Sequence, residues 1–164
     1  MPKKDKDELR RLNVPWITKD GHLDVTQFPL EVALKQSLSK ERSALISACT
    51  MLTWMFSAGR TEAVVFLYGL LILNRNDLER KEVIVRALGD VETPEAADLL
   101  FTELNRTESS RSTRTYINAI LKSLSGFPLH LVEDGFHALI NDARWSYKMK
   151  RKFREILDRI EYKC

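Results

Sequence analysis

From residue 29 onward, apolar side chains recur at intervals of three or four residues, which is the spacing that lines one face of an α-helix. The segment 40–57 shows this spacing at four positions: Leu45, Cys49, Leu52 and Phe56. Three glycines interrupt the pattern along the chain: Gly59, Gly89 and Gly126. Because no strand-rich segment competes after residue 28, the pattern predicts helices joined by short turns.

The glycines and polar turns divide this region into three predicted helical hairpins and a final helix. The predicted ranges are 40–57 with 61–74, 77–88 with 93–105, 110–124 with 128–141, and 145–160 alone. Pro29 fits the first position of an earlier helix, the polar segment 74–77 supplies an N-cap, and Thr93 caps a helix that begins at Pro94. Since a hairpin of two amphipathic helices cannot bury its apolar flanks alone, the hairpins are expected to stack in one all-α domain, residues 29–164.

The first 28 residues carry a different pattern and are predicted to form a separate N-terminal segment. Residues 1–12 are highly charged and predict a short helix. Asp20 and Gly21 form a turn dipeptide between apolar residues, which predicts a small hairpin. The flanking apolar residues are Trp16, Ile17, Leu23 and Val25.

Composition and cysteine usage narrow the class of protein. With 44% hydrophobic and 30% charged residues among 164, the chain resembles one ordinary globular domain. Cys49 and Cys164 lie far apart without a CxxC motif, which argues against a disulfide framework or a zinc site. The charged N-terminus has no apolar leader after it, which predicts a cytoplasmic protein.

The most apolar run, 63–73, is about half of the ~20 residues that a membrane span requires, so no membrane partner is expected. It predicts instead a helix that is buried on nearly all sides. Four aromatic residues in this part of the chain are predicted to lie in the core: Trp54, Phe56, Phe66 and Tyr68.

One predicted helix–turn–helix junction resembles a known repeat. Its sequence is Arg86-Ala87-Leu88-Gly89-Asp90-Val91-Glu92-Thr93-Pro94-Glu95-Ala96, followed by Leu99 and Leu100. It resembles the HEAT-like repeat of the phycobilisome-lyase type, which reads R-x-A-L-G, a small acidic turn, then P-E-A and a leucine pair. Over residues 40–162 the resemblance implies a right-handed α-α superhelix, a HEAT-like solenoid of three to four hairpins. Such armadillo-like scaffolds usually hold another protein, with their second helices on the concave side, and lyase activity does not follow from the repeat alone.

The predicted second helices, 61–74, 93–105 and 128–141, contain no lysine or arginine, although 26 of the 164 residues are basic. The opposite face is expected to be basic, through Arg80, Lys81, Arg86, Arg111, Arg114 and Lys122. Partial burial and the preference of acids for helix N-termini can explain the pattern without a function. The functional interpretation, which leads, is a non-catalytic protein-interaction module with an acidic concave face for a basic segment of a protein partner. Its rim would hold Glu95, Asp98, Thr102, Glu103, Glu133, Asp134 and His137.

The final predicted helix supports an alternative, a nucleic-acid-associated protein. Six basic residues are concentrated there: Arg144, Lys148, Lys150, Arg151, Lys152 and Arg154. Aromatic residues are interleaved with them, and such a surface suits both the phosphates and the bases of a nucleic acid. The solvated outer face of a terminal helix needs the same residue types, so the pattern is not specific.

Metal binding and catalysis have little support in the sequence. His130, Glu133 and His137 lie near one face of a predicted helix, but the two imidazoles are about two turns apart, roughly 10 Å, which is too far for one ion. No nucleophile motif or glycine-rich phosphate loop is present. No cofactor, metal or catalytic residue is therefore predicted, and an enzyme of the chromophore-lyase kind is a third alternative that rests on the resemblance alone.

Overall fold

The computed structural model describes residues 14–162, which form eight α-helices and no named strand. The helices are α1 Leu30–Ser37, α2 Arg42–Ser57, α3 Glu62–Leu73, α4 Leu78–Gly89, α5 Pro94–Arg106, α6 Arg114–Leu124, α7 Leu129–Asn141 and α8 Tyr147–Glu161. The predicted all-α class is confirmed. The predicted short helix at residues 1–12 lies outside the described residues.

The chain divides into two compact units, with the boundary between Ile72 and Leu73 at the end of α3. The sequence pattern did not indicate a division at this point. Each unit has its own buried apolar residues, so each is described by itself below.

The first unit opens with the turn that was predicted at Asp20 and Gly21. The amide of Thr18 donates to the carbonyl oxygen of His22 at 2.8 Å, and an isolated antiparallel bridge joins Ile17 to Leu23. Gly21 has a φ of +73°, which a glycine adopts without steric cost. At the position of the predicted hairpin, the structure thus has a tight turn with a single bridge and no named strand.

In the helical part of the first unit, α1 packs against α2, which contributes more buried side chains than either of the other two helices. They include Leu45, Ala48, Cys49, Leu52 and Met55. Trp54 is 54% exposed, so its predicted core position is wrong. It follows Leu45 by nine residues, which places it about half a turn around the helix from the buried face.

The predicted burial of 63–73 on nearly all sides is also wrong. In α3 the buried side chains are Ala63, Leu67, Leu70 and Leu71, whereas Val65, Ile72 and Leu73 are between 62% and 70% exposed. Phe56, Phe66 and Tyr68, predicted as core, are half-buried. A helix that is apolar all round has no periodicity to show which of its faces will be covered.

In the second unit, the helices contact in an alternating order. The first helices of the two predicted hairpins, α4 and α6, pack against each other, and the second helices, α5 and α7, do the same. Helix α5 also contacts α4 and α6, and α7 packs against α8. The shared core includes Ile84, Leu88, Leu100, Leu104, Ile120, Leu124, Val132, Phe136 and Phe153.

Two glycines allow these helices to approach closely. A Cβ on Gly89 would lie 2.7 Å from Cβ of Ser123, whose hydroxyl donates to the carbonyl oxygen of Val85 at 2.9 Å. A Cβ on Gly135 of α7 would overlap the ring of Phe101 in α5. Gly89 was predicted to end its helix. It is the last helical residue, and the structure adds that its missing side chain makes room for α6.

Candidate functional site: a basic groove in the second unit

A groove of about 590 Å³ lies between α8 and the N-terminal part of α6 with the turn before it. We call it the basic groove because five of its lining side chains are cationic: Arg111, Arg114, Lys148, Arg151 and Lys152. Glu155 is the one carboxylate in its lining, and three serines add hydroxyl groups: Ser109, Ser110 and Ser146. The excess of positive charge suits an anionic ligand.

Most of these charges are available to a ligand. Within residues 14–162, the exposed side chains of Arg111, Arg114 and Lys148 have no ion-pair or hydrogen-bond partner. Lys152 donates to the amide oxygen of Asn118 at 2.6 Å, and this neutral partner does not offset the positive charge of the side chain. Arg151 lies 3.3 Å from Glu155 in an exposed pair, which adds little stability and can open at small cost.

The turn before α6 is held by its own hydroxyl groups. The amide of Ser110 donates to Oγ1 of Thr113 at 3.0 Å, and the amide of Thr113 donates back to Oγ of Ser110 at 3.2 Å. The Thr113 hydroxyl also donates to the carbonyl oxygen of Glu108 at 2.5 Å. These bonds give the chain an alternative to helix, so α6 begins at Arg114 rather than at the predicted residue 110. The turn positions Ser109 to Arg111 along the groove.

Helix α8 is oriented by its apolar face. Phe153, Ile156, Leu157 and Ile160 are buried, and α8 packs against α7. At its N-terminus, Ser146 accepts a hydrogen bond from the amide of Met149 at 3.4 Å, and buried Trp145 meets the Phe153 ring edge-on with centroids 5.3 Å apart. Because one face is buried in this way, basic residues on the other side of α8 can line the groove.

The structure divides the six basic residues that the sequence singled out. Lys148, Arg151 and Lys152 line the basic groove, whereas Lys150 and Arg154 lie on α8 outside its lining. Arg144 lies before α8, where it hydrogen-bonds the Asp142 carboxylate and both oxygens of Asn105. The Arg144 guanidinium lowers the pKa of Asp142, which keeps this link charged. Arg144 thus joins the end of α5 to the turn before α8.

Two groove residues, Arg111 and Arg114, were assigned only to a general basic face by the sequence. They lie more than thirty residues before α8, and nothing in the local pattern joins them to it. The packing of the second unit brings the two segments together. The available signal was the pair of arginines three residues apart in the first turn of the predicted helix 110–124.

The predicted acidic rim is only partly assembled. Glu95 and Asp98 are exposed on α5, and Asp134 and His137 are exposed on the neighbouring helix α7. Thr102 and Glu133 are half-buried, and Glu133 lies 3.9 Å from the imidazole of His137. These side chains therefore occupy two helices that pack together.

Glu103 has an internal role. Its carboxylate pairs with Lys81 of α4 and accepts a hydrogen bond from the hydroxyl of Tyr116 in α6 at 2.9 Å. The Lys81 ammonium lies 4.7 Å from the centre of the Tyr116 ring. Burial, and then the Glu103 charge, raise the pKa of Tyr116, so its hydroxyl remains a donor. Lys81, which was predicted to lie on a basic face, is buried in this pair.

Among residues 14–162, no group of three His, Cys, Asp or Glu side chains is placed to hold a metal ion. None of the helices in this range is long and apolar enough to cross a membrane. The fold and the groove define an all-helical protein with a cationic groove in its second unit. Comparison with known family models, curated proteins and solved structures found no match.

Proposed function

We propose that the chain is a non-catalytic nucleic-acid-binding module whose basic groove takes the phosphate backbone. The observation that carries this proposal is that the groove is lined by five cations and a single carboxylate, with three of the cations unpaired within the described residues. Neutralising phosphates releases condensed counterions, which drives binding of basic proteins to nucleic acids. Nucleic-acid binding, which was the alternative to protein binding in the sequence analysis, is thus the leading proposal.

The arrangement of the groove favours a regular polyanion. Lys148, Arg151 and Lys152 lie within about 6 Å along the helix axis, and the α6 side adds two arginines. Closely spaced cations match the closely spaced charges of a phosphate backbone better than the sparse charges of an acidic peptide. The N-termini of α6 and α8 also border the groove, and helix N-termini favour phosphate oxygens.

The proposal is tested by removing unpaired groove cations one at a time. Arg114→Ala and Lys148→Ala should each weaken binding of a labelled DNA oligonucleotide. Each should also reduce the slope of log affinity against log salt by about 0.7 to 0.9, the share of one phosphate contact. The slopes are measured by fluorescence anisotropy at several salt concentrations.

Lys122→Ala is the matched control, because Lys122 is an exposed cation on the same helix as Arg114 but outside the groove. It should leave the slope almost unchanged. Absence of oligonucleotide binding at low salt, or an equal effect of Lys122→Ala, would contradict the proposal.

The acidic side chains of α5 and α7 support a second proposal, that of a protein-interaction scaffold. Glu95, Asp98, Asp134 and His137 are exposed on helices that pack side by side, and a basic segment of a partner would be attracted to them. The HEAT-like solenoid implied by the sequence resemblance belongs to this proposal, and in such a solenoid the contacts α4–α6 and α5–α7 would be those between neighbouring hairpins. A cytoplasmic location belongs to the same proposal.

Charge reversal tests the scaffold proposal. Asp98→Lys with Asp134→Lys should abolish binding of a lysine-rich peptide in a calorimetric titration, because both surface charges change sign. The thermal melting curve should stay nearly the same, since both residues are exposed. Asp158→Lys, an exposed carboxylate on α8, serves as the control. Unchanged peptide binding by the double variant would remove this proposal.

A further inference from the structure

Tyr147 is an exposed aromatic residue at the edge of the basic groove. It is the first residue of α8, and its neighbours Ser146 and Lys148 both line the groove. Its side chain is 78% exposed, although tyrosine normally buries much of its ring. The N-terminus of α8 is already anchored by Trp145 against Phe153 and by the Ser146 cap, so this ring is not needed for the fold.

An exposed ring beside a row of cations is the combination that binds single-stranded nucleic acids. The cations neutralise the phosphates, and the ring stacks on an unpaired base. Arg151 follows Tyr147 by four residues and therefore lies one turn further along the same side of α8. A strand with its phosphates at Arg151 and Lys148 can place a base on Tyr147.

We infer that the basic groove binds single-stranded nucleic acid and that Tyr147 is its stacking platform. This inference rests on the proposed nucleic-acid function and specifies the form of the ligand. A duplex keeps its bases stacked inside, so it offers no free base to Tyr147. The groove volume of about 590 Å³ is within the range of sites that hold small ligands, which suits one strand rather than two backbones.

The arrangement also provides a role for Arg154. It is exposed on α8, seven residues after Tyr147, and therefore near the same side of the helix. A strand that leaves the groove over Tyr147 would pass this guanidinium. Arg154 is thus a secondary phosphate contact outside the groove lining.

The experiment compares Tyr147→Ala with Tyr147→Phe on three probes. The probes are a labelled single-stranded DNA of mixed sequence, the blunt duplex of the same sequence, and heparin, which has no bases. The wild-type protein should bind the single strand more tightly than the duplex. Tyr147→Ala should lose on the order of tenfold in affinity for the single strand, the typical loss for one stacked base. Tyr147→Phe should bind the single strand like the wild type, and heparin binding should be the same for all three proteins.

The outcomes separate this inference from the proposed function. If single strand and duplex bind equally, or if Tyr147→Ala binds the single strand as tightly as the wild type, the stacking inference is overturned. Binding of the DNA probes that still depends on Arg114 and Lys148 would then leave the proposed function standing. If only heparin binds, or no probe binds at low salt, both fail. Circular dichroism of Tyr147→Ala checks that any loss of affinity occurs in a folded protein.

Discussion

At the scale of single residues, the cluster of Lys81, Glu103 and Tyr116 links three helices of the second unit. The side chains of Lys81 and Glu103 are 10% and 12% exposed, so little water is available to stabilise either charge alone. Each charge is compensated only while the other is present. Glu103 is therefore better explained as a structural residue than as part of a binding rim.

Removing Lys81 should destabilise the fold strongly. Lys81→Met leaves the Glu103 carboxylate buried without its cation, and the free energy of unfolding should fall by about 3 kcal/mol. Arg86→Ala is the matched control on the same helix, because the Arg86 side chain is 50% exposed in its pair with Glu82 at 2.8 Å. The control should cost at most about 1 kcal/mol. Urea denaturation followed by circular dichroism measures the free energy of unfolding of both variants. Equal losses in the two variants would show that burial of the cluster does not increase its contribution to stability.

At the scale of helices, the sequence predicted most boundaries to within about two residues because the signals that set them are local. Asp77 accepts a hydrogen bond from the amide of Arg80 at 3.0 Å, and Thr93 accepts one from Ala96 at 3.3 Å, as their positions before apolar helices indicated. The predicted start of α6 was wrong because the hydroxyl groups of Ser110 and Thr113 accept hydrogen bonds from the backbone amides of the turn. Such a network cannot be inferred from composition alone.

The candidate groove was predictable in part, because some of its residues are also close together in the sequence. The cations of α8 share one short segment, so the sequence could identify them. Their juxtaposition with Arg111 and Arg114 depends on the packing of distant helices, which no local pattern encodes. Which residues of α3 are exposed was also not predictable, because a segment that is apolar throughout has no polar residues to indicate its solvent-facing side.

At the scale of the whole molecule, the division at the end of α3 has a consequence for folding. The second unit contains five helices with a shared core, and the basic groove is formed entirely within it. A fragment of residues 74–164 should therefore fold alone and bind the single-stranded probe as the full chain does. Circular dichroism with thermal melting measures its folding, and fluorescence anisotropy its binding. A fragment without a cooperative melting transition would contradict this expectation.

The first unit contains a natural chemical reporter of its own integrity. Cys49 is 2% exposed within α2 and is the sole cysteine among residues 14–162. A thiol reagent can reach its sulfur only when the surrounding helices separate, so the labelling rate measures how often they open. In a Cys164→Ser variant, the labelling rate of Cys49 would report on the first unit, while affinity for the single-stranded probe would report on the second.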